Sequence, residues 1–204
     1  MKLDTTTQNL HGVAVCIDNY GIVITGESGI GKSDLALKLL ERGHKFITDD
    51  YVKLIITNNN LNIRSHDKLS GFIHIRNIGF VDVASIYGND SLITQHKLNL
   101  IIELTKNSPI TEPLETKYHT MAINAHRNEQ YQDKIYNHDT SFYYTKILGM
   151  NITMLKLNVS HNRPLDLLIE LAVKCSKQLD NGYDANQNFI EQQQLVILND
   201  IKSQ

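Results

Sequence analysis

Cysteine, proline and tryptophan are scarce in this sequence, whose 204 residues include two cysteines, three prolines and no tryptophan. Cys16 and Cys175 both lie within apolar patterns and lack the spacing of a metal site. We therefore expect two buried free thiols in a reducing cytoplasm rather than the crosslinks of a disulfide-rich secreted domain. A chain of this length can bury a full core without crosslinks, so we expect one domain over residues 1–204.

Long apolar runs and an excess of one charge are also absent. No run approaches the roughly 20 apolar residues that a membrane-spanning helix needs. Residues 1–9 are polar, whereas a secretory signal has an apolar core. The formal net charge is −2, whereas a nucleic-acid-binding protein usually carries an excess of basic residues. We expect a cytoplasmic protein that binds neither membranes nor nucleic acid.

The most specific feature that is present is a complete phosphate-binding loop. The pattern G-x-x-x-x-G-K-[ST] is matched by Gly26, Glu27, Ser28, Gly29, Ile30, Gly31, Lys32 and Ser33. Glycines let such a loop curl so that successive backbone N–H groups point at a phosphate chain. The lysine brings positive charge to the β- and γ-phosphates, and the serine hydroxyl can ligate Mg²⁺. These residues predict a nucleotide site with Ser33 as a metal ligand.

The residues around the loop have the periodicity that the motif requires. Apolar residues predict a strand at 22–25, and Leu35, Leu39 and Leu40 predict one face of a helix over 33–42. Other strands are expected at 12–17, 46–48, 51–57, 61–64, 98–104 and 152–159, and other helices at 82–87, 164–179 and 188–201. Residues 105–148 lose this periodicity, so we expect a mobile loop followed by a weakly patterned segment.

Two adjacent carboxylates, Asp49 and Asp50, follow the predicted strand at 46–48. Beside a phosphate loop, carboxylates at a strand end can hold Mg²⁺ or accept a proton from an attacking hydroxyl. Two carboxylates that face one site also push one pKa upward. An ordinary acidic turn is the alternative, and the nearby phosphate loop favours the functional interpretation.

Two further candidates rest on single residues. His11 precedes the first predicted strand, and a lone histidine is more often a surface or packing residue. Arg163 lies just before the predicted helix at 164–179. Its planar guanidinium can clamp a phosphoryl group, or it can face solvent in a capping loop.

Several motifs, in order, resemble the HPr kinase/phosphorylase catalytic domain. The first matches are His11-Gly12-Val13, the loop at 26–33, and the segment from Arg42-Gly43-His44 to Asp49-Asp50. Further matches lie at 73–79, 86–88, 147–149, 169–172 and 182–185. The resemblance spans roughly residues 10 to 200. Ordered motifs over that span are far more specific than the phosphate loop alone.

The resemblance implies an α/β fold, namely a P-loop kinase domain of the HPr kinase and phosphoenolpyruvate carboxykinase type, with a mixed sheet and flanking helices. It implies Mg²⁺-dependent transfer of phosphate from ATP to a serine of HPr, the small phosphocarrier of bacterial sugar uptake. It also implies the reverse reaction, in which inorganic phosphate removes that phosphate as pyrophosphate. Homo-oligomers, usually hexamers, are typical of the family. Many members carry an extra N-terminal domain, so we expect a short form with the C-terminal catalytic domain only.

By motif position, the resemblance also implies the roles of individual residues. Lys32 would bind phosphate and Ser33 would bind Mg²⁺. His11, Asp49 and Asp50 would line the reacting centre, with one aspartate as the general base, and Arg163 matches an arginine near the active site. The order of the motifs does not decide which aspartate is the base.

The chain departs from the family pattern at His74, where the family motif has a glutamate that ligates the metal. Neutral imidazole is a poor ligand for Mg²⁺, which prefers hard oxygen atoms. Two alternatives to a protein-serine kinase therefore stay open. One is a nucleotide-binding regulatory protein with reduced or lost phosphoryl transfer, and the other is a small-molecule kinase on the same scaffold. Asn77 and Asn162 replace family glycines, and asparagine tolerates positive φ better than most residues.

Overall fold

The computed structural model describes residues 7–65, 70–106, 121–122, 142–159 and 163–202. These residues form an α/β fold with a ten-stranded mixed sheet, a separate two-stranded sheet and flanking helices. The elements, in chain order, are β1 (Thr7–His11), β2 (Val13–Ile17), β3 (Tyr20–Gly26), α1 (Lys32–Glu41), β4 (Lys45–Thr48), β5 (Tyr51–Thr57), β6 (Asn60–Arg64), β7 (Phe72–Ile75), β8 (Gly79–Asp82), α2 (Val83–Tyr87), β9 (Gln95–Thr105), β10 (Met121–Ala122), β11 (Phe142–Ile147), β12 (Met150–Asn158), α3 (Leu165–Asp180) and α4 (Ala185–Lys202).

Strand β9 is the centre of the large sheet. Its first residues pair antiparallel with β6, and the rest of the strand pairs parallel with both β3 and β12. Its apolar residues are buried, because layers of the fold cover both faces of the sheet here. The predicted strand at 98–104 is confirmed, and the structure extends it at both ends.

Two hydrophobic cores lie on opposite faces of the sheet. Successive side chains of a strand point to opposite faces, so Val13 and Val15 of β2 pack into the core that contains α1 and α3. Ala14 and Cys16 pack into the other core, which residues of β5 and β6 complete. In β3, Ile24 packs into the first core and Val23 into the second, so both cores support the strand that leads into the phosphate loop.

The two-stranded sheet, β7 and β8, packs its inner face on α1. Ile73 and Ile75 are buried in the same core as Leu35, whereas the alternate residues of β7 are exposed. The turn between the two strands has Asn77 at φ 67°. This value confirms that asparagine keeps the left-handed backbone in the place of a family glycine, while Asn162 lies outside the described residues.

Residues 105–148, predicted as a mobile loop followed by a weakly patterned segment, lie mostly outside the described residues, and most of the described ones lie in strands. Strand β9 continues to Thr105, and β10 and β11 fall within the range. Strand β11 pairs with β12 through a tight turn at Leu148 and Gly149, both with positive φ. Its apolar alternation is weak because it lies near the edge of the sheet and most of its side chains are partly exposed. The intervening residues 107–120 and 123–141 lie outside the described residues.

Other differences from the sequence predictions are smaller. The structure has strands β1, β7 and β8, which the sequence analysis did not predict, and it begins α4 at Ala185 rather than at residue 188. Pro164 lies just before α3 instead of in its first turn. Both cysteines are free, but Cys175 is only partly buried, because it lies beside the buried stripe of α3 rather than within it.

Candidate active site

The loop between β3 and α1 has the backbone that its glycines predict. Gly26, Gly29 and Gly31 have φ values of 141°, 76° and 100°, which residues with a Cβ atom rarely adopt. A Cβ atom on Gly26 would lie 2.7 Å from the Leu104 carbonyl oxygen, so this position also has no room for a side chain. The loop can therefore curl so that its backbone N–H groups point inward, just before α1.

Lys32 lies against the phosphate loop and is almost completely buried, with 7% exposure. Its Nζ donates hydrogen bonds to the carbonyl oxygens of Gly26 and Glu27, at 3.0 and 3.1 Å. A lysine is rarely buried without partners. Here the loop carbonyls fix the ammonium group where it adds a full charge to the partial positive charge of the helix N-terminus.

Ser33 joins the loop to the carboxylate that follows β4. Its hydroxyl Oγ lies 3.2 and 3.1 Å from the two carboxylate oxygens of Asp49 and donates to that group. Asp49 also accepts hydrogen bonds from the backbone N–H groups of Asp50, at 3.0 Å, and His74, at 3.1 Å. Three elements of the chain thus converge on one carboxylate.

The Asp49 carboxyl group has a raised pKa. Burial is the main cause, and the neighbouring Asp50 carboxylate adds to it, while the hydrogen bonds from His74 and Ser33 act in the opposite direction. A carboxylate beside a phosphate loop whose proton affinity is raised in this way is typical of a functional site.

Asp50 and His11 lie on the exposed side of this carboxylate. Asp50 is exposed and has φ 60°, so its backbone adopts a left-handed turn directly after Asp49. His11 ends β1, which pairs with β5, and its Nδ1 lies 3.1 Å from the backbone carbonyl oxygen of Asp50. The geometry therefore brings the loop, Ser33, Asp49, Asp50 and His11 together.

Arg163 is not joined to this group. It is exposed, and within the described part of the chain no hydrogen bond or ion pair engages it. Its preceding neighbours at 160–162 lie outside the described residues. A role for Arg163 at the reacting centre stays a prediction.

Two contacts from β7 and its turn were missed by the sequence analysis. The backbone of His74 binds Asp49, while its ring packs edge-on against Phe80, with the ring centroids 5.0 Å apart. Arg76 lies against Gly29 of the phosphate loop. The family motif contains both positions, but their contacts with the loop depend on how the hairpin packs, which no local sequence pattern records.

The oxygen ligands that the site offers suit a magnesium ion whose remaining coordination positions are filled by other oxygen atoms. The Ser33 hydroxyl and the Asp49 carboxylate are hard oxygen donors, and Mg²⁺ usually keeps waters and substrate phosphates as its other ligands. Among the described residues no three histidine, cysteine, aspartate or glutamate side chains form a cluster that could hold a metal alone. No described helix has the length and apolar character needed to cross a membrane.

Comparison with known families agrees with this geometry. The family model described as the HPr serine kinase C-terminal domain matches residues 2–193, which is nearly the whole chain. The chain belongs to this family. The order of motifs from His11 to the C-terminal segment therefore reflects membership of the HPr serine kinase C-terminal domain family and not a chance phosphate loop.

Individual members of the family give the degree of similarity. HPr kinase/phosphorylase from Bordetella avium is 31% identical over 203 residues, which cover 98% of this chain and 58% of that protein. HPr kinase/phosphorylase from Clostridium perfringens is 32% identical over 163 residues, covering 80% of this chain and 46% of the relative. The chain thus spans about half the length of the curated relatives it matches.

A solved structure has the same fold. The structure of the HPr(Ser) kinase/phosphatase from Coxiella burnetii matches with a TM-score of 0.66 and 32% sequence identity. The match covers 89% of this chain and 98% of that one. The α/β kinase fold predicted from the motifs is confirmed.

Proposed function

We propose that this chain is a kinase domain that transfers the terminal phosphate of ATP to a serine of an HPr-like phosphocarrier, with Mg²⁺ bound at Ser33. The proposal includes a cytoplasmic location, a homo-oligomeric assembly and a role in the control of sugar uptake. The names of the relatives from Bordetella avium, Clostridium perfringens and Coxiella burnetii support HPr as the acceptor class. They also support phosphoryl transfer over a purely regulatory nucleotide-binding role.

The observation that carries the proposal is the hydrogen bond between Ser33 and Asp49. It links the metal-binding hydroxyl of the phosphate loop to a carboxylate from another strand, at 3.1 to 3.2 Å. This is the arrangement in which a loop serine and a strand-end aspartate share Mg²⁺ in P-loop enzymes. Bound Mg²⁺ would neutralise charge on the phosphates during transfer.

The other candidate residues would bind the phosphates, orient the metal and accept the proton. Lys32 and the loop N–H groups would hold the phosphate chain. Asp49 would orient the metal together with Ser33, which leaves exposed Asp50 as the carboxylate open to an incoming serine hydroxyl. Asp50 would accept the hydroxyl proton as that oxygen attacks phosphorus. His11, which contacts the Asp50 carbonyl oxygen, would fix the backbone of this turn.

Intact-mass spectrometry of the HPr protein from the same organism tests the proposal. HPr is incubated with this chain, ATP and Mg²⁺, and the modified peptide is then sequenced. We expect one added phosphate on a serine. The Lys32→Ala variant and an HPr variant that lacks the serine are matched controls, and both should give unmodified HPr.

The same samples test the reverse reaction. Phosphorylated HPr is incubated with inorganic phosphate, and pyrophosphate is detected by ³¹P NMR. We expect pyrophosphate to form together with unmodified HPr. If HPr stays unmodified in the first reaction although calorimetry detects ATP binding, the HPr kinase proposal is wrong and a regulatory or small-molecule role takes its place.

A further inference from the structure

Arg76 contacts the phosphate loop from a separate element of the fold. A Cβ atom on Gly29 would lie 2.9 Å from Nη2 of Arg76, so the guanidinium group lies directly against the middle of the loop. Gly29 has no side chain, and this allows the approach. The contact joins residues 47 positions apart in the chain, from 29 to 76.

The hairpin of β7 and β8 fixes the backbone that carries Arg76. Ile73 and Ile75, which precede it, are buried in the core that also contains Ile30 of the loop. The N–H of Ile78 donates to the Ile75 carbonyl oxygen at 3.1 Å and closes the turn. With the His74 amide bound to Asp49, this packing sets the position of the Arg76 backbone relative to the loop.

The guanidinium group of Arg76 lacks a carboxylate partner in the described structure. Within residues 7–65, 70–106, 121–122, 142–159 and 163–202, no hydrogen bond or ion pair engages its side chain. Arg42, by contrast, binds Glu170 through two nitrogens. Among the described residues, Arg76 therefore adds a positive charge without a paired carboxylate to a loop that already holds the Lys32 ammonium and a helix N-terminus.

We propose that Arg76 is a phosphate-binding residue whose guanidinium group binds oxygens of the polyphosphate chain held by the loop. The proposal deepens the proposed function and rests on it. The planar fork of arginine matches two phosphate oxygens at once, and it stays charged at every working pH. Arg76 would also favour chains of linked phosphates, such as ATP and pyrophosphate, because a second cation adds to the charge of Lys32.

Calorimetric titration with ATP and with pyrophosphate, both at fixed Mg²⁺, tests this role. In the Arg76→Gln variant we expect both dissociation constants to rise roughly tenfold to a hundredfold, the range for a lost charge-assisted contact. Arg76→Lys should recover part of the affinity, because it keeps the charge but not the fork.

Arg64→Gln is the matched control. Arg64 is exposed and pairs with Gln95 at the start of β9, whereas the loop begins beside Leu104 near the other end of that strand. We expect wild-type affinity in this variant and wild-type melting temperatures in the two Arg76 variants. Lys32→Ala gives the reference for complete loss of binding.

The outcomes separate this proposal from the proposed function. Wild-type protein that binds neither ATP nor pyrophosphate would overturn the nucleotide site itself. Wild-type binding that Arg76→Gln leaves unchanged would overturn the role of Arg76 and leave the proposed function intact. If Arg76→Gln and Arg76→Lys lose affinity equally and both melt at lower temperature, the residue serves packing, and the proposal is again wrong.

Discussion

The Ser33 hydroxyl donates to the Asp49 carboxylate, with both carboxylate oxygens between 3.1 and 3.2 Å from its oxygen. If these two groups share Mg²⁺, Ser33→Ala should remove the dependence of ATP affinity on the metal. We expect the wild-type protein to lose affinity when the metal is chelated, and Ser33→Ala to bind equally weakly with and without it. Calorimetry with Mg²⁺ and with a chelator measures both states.

Ser33→Thr is the control for this prediction. Threonine keeps the hydroxyl group that the loop motif allows, so the metal dependence should be preserved. A Ser33→Ala variant with full metal dependence would show that the Mg²⁺ site lies elsewhere.

His74→Glu tests whether the histidine weakens metal binding. The new carboxylate would start from a backbone that is already hydrogen-bonded to Asp49. We expect half-maximal phosphoryl transfer at a lower Mg²⁺ concentration, because carboxylate oxygen replaces a ring that suits Mg²⁺ poorly. A magnesium titration of the transfer rate measures the effect.

His74→Gln is the control, because glutamine has the length of glutamate without its charge. Both variants lose the edge-on contact with Phe80, so a difference between them reports the carboxylate alone. Equal magnesium titrations for His74→Glu and His74→Gln would mean that other ligands already complete the metal shell.

Glu170 of α3 links the end of α1 to the start of β4. It accepts hydrogen bonds from Nη2 of Arg42 and lies 2.8 Å from Nε2 of His44. The Arg42 guanidinium is the main cause that lowers the pKa of Glu170 from 4.5 to about 2. We expect Glu170→Gln to reduce the free energy of unfolding at pH 7 by about 1–2 kcal/mol, since the group is partly exposed to solvent.

The pH dependence of this loss has a definite sign. Because the folded pKa is depressed, the stabilisation by Glu170 is complete above pH 4.5 and disappears as the pH falls towards about 2. Urea unfolding of the wild type and Glu170→Gln at several pH values should therefore converge in acid. Glu191→Gln, on the exposed surface of α4, should match the wild type throughout. A difference that stays constant down to pH 2 would contradict the prediction.

Tyr20 of β3 holds the far half of α3 through a buried polar contact. Its hydroxyl donates to Asp180 at 2.8 Å and lies 2.8 Å from the hydroxyl of Ser176, which is completely buried. Burial raises the pKa of Tyr20 far above its ordinary value, so the hydroxyl keeps its proton. Tyr20→Phe should cost about 1–2 kcal/mol, because it leaves the Ser176 hydroxyl without this partner.

Differential scanning calorimetry measures this cost as a lower melting temperature. Adding Ser176→Ala to Tyr20→Phe removes the unpaired buried hydroxyl and should restore part of the stability. A double variant less stable than Tyr20→Phe by the full cost of Ser176→Ala alone would mean that the two hydroxyls do not interact.

The parts of the fold that the sequence predicted are those with a strong local signal. The loop at 26–33, helix α1 and the buried strands β2 and β9 combine glycine patterns or apolar runs with clear boundaries. Strand β1 could not be predicted in this way, because it is polar and pairs with β5 some forty residues away. Strand β11 has strand-forming residues, but its position near the edge of the sheet leaves little alternation to detect.

The residues of the candidate site also differ in whether a local sequence pattern marks them. Ser33, Asp49 and Asp50 were predictable because a motif and a strand end mark them. The amide of His74 and the guanidinium of Arg76 reach the loop only through the packing of β7 on α1. Such contacts depend on the tertiary structure, and a residue pattern within β7 does not reveal them.

The hydrogen bond from residue 74 to Asp49 uses the main chain, and every amino acid except proline can supply it. The side chain at residue 74 can therefore change while the aspartate keeps this hydrogen bond. A substitution at residue 74 that changes the affinity of the candidate site for Mg²⁺ need not disturb the geometry of the Asp49 carboxylate. An exchange between glutamate and histidine at residue 74 therefore leaves this hydrogen bond in place, so any effect of the exchange on metal binding comes from the side chain alone.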